Sequence, residues 1–372
     1  MTPMTHETPT DDDRRRLALA DLRTQIDDTD RKLLRLLDQR TELAVRTARL
    51  KPEVTDGDRE AEVLSQVQAA AYGLLSAEFV AGLYRGIIDE GKRLQARRPR
   101  LGGFQGEHGA WSEMALERWD TSLVPVACRT FADVLDGVST GAFDRGIVPV
   151  ENSIGGSVVE VSDLLVDTAL SIVAEVRLPV RQCLLALPGT TLPEIRSVRS
   201  HPQALAQCRG FLGRHALAPE PFHDTAGAAR WLMFEGARGV GVIASPLAAR
   251  LYGLDIVAAD VADHTGNQTR FVVLARQLHT GHADKGTIAL STDDRAGALV
   301  QALGAFAAHR VNLSRIESRP DRERHGRYVF LVDFSGDAAD DNVARALSDL
   351  TAQNVAYRVL GFYPSDPGEP MA

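Results

Sequence analysis

Between Asp11 and Lys51 the chain contains neither glycine nor proline, and Pro52 follows at once. So long a stretch without a turn residue folds as one helix, which the fixed φ and missing N–H of proline then stop. Ile26, Leu33, Leu37 and Ala44 form its apolar stripe at spacings of four and seven, but Arg23, Asp30, Arg40 and Lys51 share that heptad-like seam. One arginine on a seam snorkels to water; three cations on one seam suggest a bound anion. Arg40 and Lys51 would lie within about 20° of one face and roughly 16 Å apart along the axis, close enough to converge on one small ligand. Arg23 would lie about 25 Å from Arg40, too far to share that ligand. An Arg23 that binds ligand must therefore serve the site of a partner chain, so the helix predicts an intertwined homodimer.

With 372 residues the chain exceeds one ordinary core, and two or three domains are expected. A formal net charge of −8 argues against nucleic acid or an anionic membrane surface as the main partner. Cys128, Cys183 and Cys208 are widely spaced without a CxxC pair, which suggests neither a disulfide framework nor a metal site and fits a reducing cytoplasm. No uncharged apolar run is long enough to cross a bilayer. Residues 1–12 carry no apolar targeting segment and read as a disordered tail, as does the stretch from Pro364 onward.

Two more helices follow. One starts near Asp56, with Arg59 and Glu60 in its first turn; the other is capped by Ser76 and runs to about Arg97, with Gly91 and Gln95 on one face. Gly91 in mid-helix costs about 1 kcal/mol against alanine and suggests close approach of a ligand or another helix. Residues 13–97 resemble the all-helical chorismate mutases, whose three helices form interlaced dimers. Arg23, Arg40, Lys51, Asp56, Arg59, Glu60 and Gln95 match that family's pocket; Gly91 stands where the family carries serine, and the Lys51–Asp56 segment is shorter than usual. The resemblance implies that Arg23 of one chain and Arg40 of the other hold the carboxylates of chorismate, while Lys51 and Gln95 address its ether oxygen. That pericyclic rearrangement needs no acid or base, only a held conformer and stabilised charge on the ether oxygen.

After a basic linker at 96–100, short apolar strands alternate with helices, the pattern of an α/β sheet. LSIVAEVRLPVRQCLLAL reads as two strands crossing between lobes, which leaves a cleft beyond the carboxyl ends of the strands. Four polar tips fall there: GFQGEHGAWS ending at Ser112, VENSIGGSV at 150–158, SHPQALAQC at 200–208 and GNQTRF at 266–271. Singly each is a capped turn; together they read as an anion-binding cleft, with Ser112, Ser153, Ser157 and His201 as candidate contacts. Thr269 enters a strand from a loop, where a hydroxyl can reach the cleft.

These tips resemble those of the prephenate dehydratases, with TRF as that family's signature. The resemblance implies a two-lobed fold similar to periplasmic binding proteins, holding prephenate between the lobes. The ring hydroxyl is expelled as the ring carboxylate leaves as carbon dioxide, giving phenylpyruvate without metal or organic cofactor. Thr269 is the candidate at the leaving hydroxyl, as a hydrogen-bond donor, because a threonine hydroxyl is a poor acid. Glu151, Asn152 and Gln207 match positions the resemblance marks, although Glu151 is also suited to pairing with a nearby cation. Arg270 binds either a substrate carboxylate or a neighbouring acid.

Residues 285–363 read as β-α-β-β-α-β, the ferredoxin-like order, and resemble an ACT domain. Gly297, Ala298, Leu299 and Val300, with Glu317, Ser318, Arg319 and Pro320, match the motifs by which such dehydratases sense phenylalanine; as bare sequence they are a helix start and a strand end. The chain is thus expected to hold an all-α mutase domain (13–97), an α/β dehydratase domain (101–277) and a regulatory module (285–363). As a whole it resembles the bifunctional chorismate mutase/prephenate dehydratases. The rival readings are a dehydratase with a helical dimerisation arm, a non-catalytic amino-acid sensor, and an enzyme preferring arogenate.

Overall fold

The computed structural model describes residues 10–51, 55–293, 295–321 and 327–368. Its helical arm begins with α1 (Asp11–Thr47), which starts inside the expected tail because Thr10 and Asp13 cap each other: Thr10 Oγ1 accepts from the Asp13 N–H, and the Asp13 carboxylate accepts from the Thr10 N–H. Residues 1–9 of that tail lie outside the described residues. The helix also stops earlier than expected. Ala48, Arg49 and Leu50 donate to carbonyls three residues back, so the last turn tightens ahead of the proline and Lys51 leaves the helix. The helical spacing drawn between Arg40 and Lys51 is corrected accordingly. Asp56 caps α2 (Gly57–Ala69) and Ser76 caps α3 (Ala77–Ala96), as the sequence predicts.

The α/β body has two lobes. The first contains β1 (Leu101–Gln105), α4 (Trp111–Trp119), β2 (Val124–Cys128), α5 (Phe131–Thr140), β3 (Arg145–Asn152), β4 (Gly156–Ser157), α6 (Val159–Asp167) and β5 (Ser171–Pro179). The chain then crosses into the second lobe: β6 (Cys183–Ala186), β7 (Ser197–Ser200), α7 (Pro202–Gln207), α8 (Arg209–Arg214), β8 (Ala218–Pro221), α9 (Thr225–Glu235), β9 (Val240–Ala244), α10 (Pro246–Tyr252) and β10 (Asp255–Ala258). It returns as β11 (Gln268–Ala275), which inserts into the first sheet between β3 and β5, giving the order β2-β1-β3-β11-β5, while the second sheet runs β10-β6-β9-β7-β8. Strand β8 escaped the sequence reading because two of its four residues are prolines, which its edge position tolerates.

The last module is β12 (Lys285–Thr292), α11 (Ala298–Ala308), β13 (Leu313–Pro320), β14 (Tyr328–Ser335), α12 (Asp341–Ala352) and β15 (Ala356–Tyr363), with sheet order β13-β14-β12-β15. This is the expected ferredoxin-like module. Its edge strand β15 lies against β5, the edge of the first lobe's sheet, and Gly361 approaches the Ile172 carbonyl so closely that no Cβ would fit. Each sheet therefore covers an edge of the other. The segment after Pro364 is tied down where a tail was expected: the Ser365 N–H donates to Asp284 at 2.6 Å, and Asp366 accepts from the Arg177 N–H at 2.8 Å. Residues 369–372 lie outside the described residues.

Candidate active site

Strand β11 pairs with β3 in a register that sets Thr269 opposite Asn152. Side chains alternate along a strand, so Thr269 and Phe271 face a cavity of about 380 Å³ between the lobes. Asn152 Nδ2 donates to Thr269 Oγ1 at 2.9 Å and to Asn267 Oδ1 at 2.7 Å, while Asn152 Oδ1 accepts from the N–H groups of Ile154 and Gly155 at 3.1 and 2.8 Å. The amide is fixed from both ends. With its oxygen already accepting, the Thr269 hydroxyl is left to donate into the cavity.

Ser112, Asn152, Ser157, His201 and Gln207 line the same cavity. Gln207 Oε1 accepts from Gln182 Nε2 at 3.2 Å and from Asn267 Nδ2 at 3.4 Å, tying the second lobe to both crossover segments. The amino ends of α4, α6 and α9 border the cavity through Trp111, Val158 and Thr225, and among the described lining residues there is no lysine or arginine. An anionic ligand there would meet helix ends, amides and hydroxyls. The loop closing one side is held to the second lobe at Gly109, whose φ of +93° and contact with Ala248 leave no room for a side chain; its carbonyl accepts from Ser245 Oγ at 2.5 Å.

Gln182, Asp224 and Thr225 also line the cavity and were not picked from the sequence. Asp224 Oδ1 accepts from the Gly227 N–H at 2.6 Å, capping α9, and burial pushes the Asp224 carboxyl above the ordinary carboxylate range. The signal was a fifth tip, an aspartate before a small-residue helix, hidden because β8 had not been recognised.

Three expected contacts lie elsewhere. Arg270 faces away from the cleft, because it follows Thr269 on a strand. Its guanidinium donates to Glu175 at 2.7 Å, to Asp333 of the last module at 2.5 Å and to the Tyr363 hydroxyl at 3.1 Å. Glu175 also accepts from Lys285 at 2.6 Å and Arg177 at 2.9 Å, and Thr287 Oγ1 donates to Asp333 at 2.8 Å. Burial opposes ionisation of Glu175, yet Arg270 and Lys285 hold its carboxyl down at about 2. Arg270 thus takes the neighbouring-acid alternative, and its assignment to a substrate carboxylate is corrected. Glu151 pairs in register with Arg270 and Ser157 and is not among the lining residues. Ser153 Oγ donates to the Gly266 carbonyl at 3.2 Å and accepts from the Gln268 N–H at 3.0 Å, stapling two tips together outside the cavity.

In the arm, Lys51 and Gln95 share a second cavity of about 340 Å³ with Arg49 and Arg98. Asp56 pairs with Lys51 at 2.9 Å, and Gln95, buried, donates to the Ala44 carbonyl and to Thr47 Oγ1. Glu60 pairs with Lys92 and Arg59 with Glu62, so neither joins that cavity within one chain. Arg40 lies over the Tyr84 ring, and Arg23 is exposed. A Cβ on Gly91 would lie 3.7 Å from the Ala44 Cβ, an ordinary contact, so the close approach is between helices. The arm meets the body at His108, whose ring nitrogens bind Glu113 and Glu42 of α1, each at 2.8 Å.

In the last module, Gly297 takes a left-handed φ of +82° to start α11, so Ala298, Leu299 and Val300 form its first turn. Glu317–Pro320 ends the edge strand β13 beside α6, where Glu317 accepts from Ser157 Oγ at 2.5 Å and Arg319 pairs with Asp163. A cavity of about 560 Å³ touches Arg319 and Pro320 but none of residues 297–300, so one chain does not gather the two motifs there.

Models of three families match consecutive stretches: chorismate mutase type II over residues 22–96, prephenate dehydratase over 103–279 and the ACT domain over 286–352. The arogenate dehydratase/prephenate dehydratase 2 of Arabidopsis thaliana, described as chloroplastic, is 42% identical over 275 residues, covering 71% of this chain and 72% of its own length. A solved prephenate dehydratase of Arthrobacter aurescens in complex with L-Phe is 33% identical with a TM-score of 0.66, over 73% of this chain and 92% of that one. GqqA, described as a novel type of quorum quenching acylase, is 35% identical with a TM-score of 0.68, over 72% of this chain and 99% of that one.

Proposed function

Because the chain belongs to the prephenate dehydratase family and joins that domain to a type II chorismate mutase domain and an ACT domain, we propose that it converts chorismate to prephenate at one site and prephenate to phenylpyruvate at the other. The observation carrying the second step is the Thr269 hydroxyl, buried at the cleft with its oxygen accepting from Asn152, which leaves its proton free for a ligand in the cavity. Such a donor stabilises a departing hydroxyl without surrendering its own proton. The product of the mutase domain is the substrate of its neighbour, which favours prephenate over arogenate. An acylase reading of this cleft is not favoured: the amide that binds Thr269 is a donor and cannot take the hydroxyl proton as a base must.

Lys51 and Gln95 line the arm's cavity, which supports the reading that they address the ether oxygen of chorismate once Gln95 exchanges its bonds to Ala44 and Thr47. Arg23, exposed on its own chain, supplies a carboxylate contact in the site of a second copy. That dimer also covers Leu17, Ile26, Leu33 and Leu34, each more than half exposed in one chain. Phenylalanine binds where residues 297–300 of one ACT domain meet 317–320 of another and acts as a feedback effector, a reading supported by the phenylalanine-bound relative. The three buried free cysteines fit a reducing compartment, which we take to be the cytoplasm. Among the described residues no helix is long and apolar enough to cross a membrane.

Purified protein should consume chorismate and form phenylpyruvate, and should form phenylpyruvate from added prephenate. Turnover of prephenate alone would reduce the arm to a dimerisation element. Turnover of neither, with phenylalanine still bound, would replace the enzyme with a sensor.

A further inference from the structure

The reaction proposed for the cleft has an unbalanced charge. Prephenate enters with two carboxylates; phenylpyruvate leaves with one, beside neutral carbon dioxide and water. The C–C bond to the ring carboxylate breaks, its electron pair aromatises the ring, and the C–O bond to the ring hydroxyl breaks. The departing hydroxide must collect a proton, so one proton is consumed in each turnover. Thr269 can steady the hydroxyl, but a threonine alkoxide is too basic to be left behind at neutral pH.

Among the described residues lining the cavity, only His201 and Asp224 carry an imidazole or a carboxyl group. His201 is exposed, and its Nδ1 is engaged by the Gln203 N–H at 3.2 Å. Asp224 is set deeper, between the first lobe's loop at Gly106 and the start of α9. Its Oδ1 is engaged by the Gly227 N–H, which leaves Oδ2 as the oxygen to carry a proton. The charged or titratable groups around it are Glu107, paired with Arg230 at 3.2 Å, His223 and His201. Burial, helped by Glu107, favours the neutral acid over the carboxylate.

Resting on the dehydratase reading, we infer that Asp224 is the general acid of the cleft, delivering its proton from Oδ2 to the leaving hydroxyl while Thr269 holds that oxygen in place. Water departs, and the Asp224 carboxylate is reprotonated from solvent once product has left. Its cap to α9 holds the acid in one rotamer, and the same cap makes it look like an ordinary helix start in the sequence.

Asp224→Asn tests this in the full chain, because asparagine caps a helix as well as aspartate and preserves shape. Phenylpyruvate formation from prephenate should fall about 10²- to 10⁴-fold in kcat, with little change in KM, while an unchanged thermal unfolding transition reports that the chain is folded. Wild-type kcat should fall as pH rises through the Asp224 pKa, and the variant should lose that limb. An asparagine variant with wild-type kcat and an unchanged limb would leave Asp224 as a helix cap and overturn the inference. Should the variant fail to fold, Asp224→Glu decides: a shifted limb supports the acid, and a limb identical to wild type overturns it. A wild-type chain that turns over neither prephenate nor arogenate instead sinks the functional reading itself, before any variant is compared.

Discussion

At the scale of residues, Thr269 and His108 carry opposite kinds of prediction. Thr269→Ala should lower dehydratase kcat by about 10²- to 10³-fold, the usual loss when one preorganised donor is removed, and Thr269→Ser should recover most of it. Separate assays with prephenate and chorismate would check this, since the mutase step should not change. His108 concerns stability. Burial alone would lower its pKa, but the carboxylates of Glu113 and Glu42 push it up to about 10. A pKa raised from 6.5 means that the imidazolium bridge contributes fully below about pH 6.5 and is lost as pH climbs towards 10. The melting-temperature gap between wild type and His108→Gln should therefore be widest near pH 6 and close by pH 10. Thr269, which alone reads as an ordinary capped loop, was picked out by the three other polar tips and the TRF resemblance, and it lines the cavity. Arg270 was half legible: strand alternation already places neighbours on opposite faces, and applying it would have excluded both side chains from one cleft. Asp224 was illegible while β8 went unrecognised.

At the scale of elements, β11 is a strand with two duties. One face presents Thr269 to the cavity, and the other carries Arg270 into a buried ion cluster shared with β5, β12 and β14. Arg270→Met should cost about 3–5 kcal/mol, because it leaves the Asp333 carboxylate buried without its cation. Thermal unfolding of Arg270→Met with and without Asp333→Asn would check the cause: the second change removes the stranded charge and should restore part of the loss. Helix starts were read well from Asp56 and Ser76 because capping is local chemistry. The end of α1 was missed, since a tightened final turn depends on how the chain leaves towards the proline.

At the scale of the whole molecule, the three-part order was legible in the switch from helical to alternating patterns, whereas the seams between parts were not, being made by residues far apart in sequence such as Gly361 on Ile172 and Arg270 on Asp333. The exposed apolar side chains of α1 predict that Ile26→Asp with Leu33→Asp weakens self-association by light scattering without phenylalanine, loses chorismate turnover and keeps prephenate turnover. A last consequence concerns ionic strength. On the proposed reading the cleft meets the prephenate dianion with amides and helix ends, whose fields are short; its described lining holds no lysine or arginine and the chain carries a net charge of −8, so substrate is not drawn in by charge. The arm's cavity is bordered by Arg49, Lys51 and Arg98, so chorismate bound there should be drawn in by charge. Salt screens that pull and barely touches the other, so a brinier solution starves the first reaction while the second keeps pace.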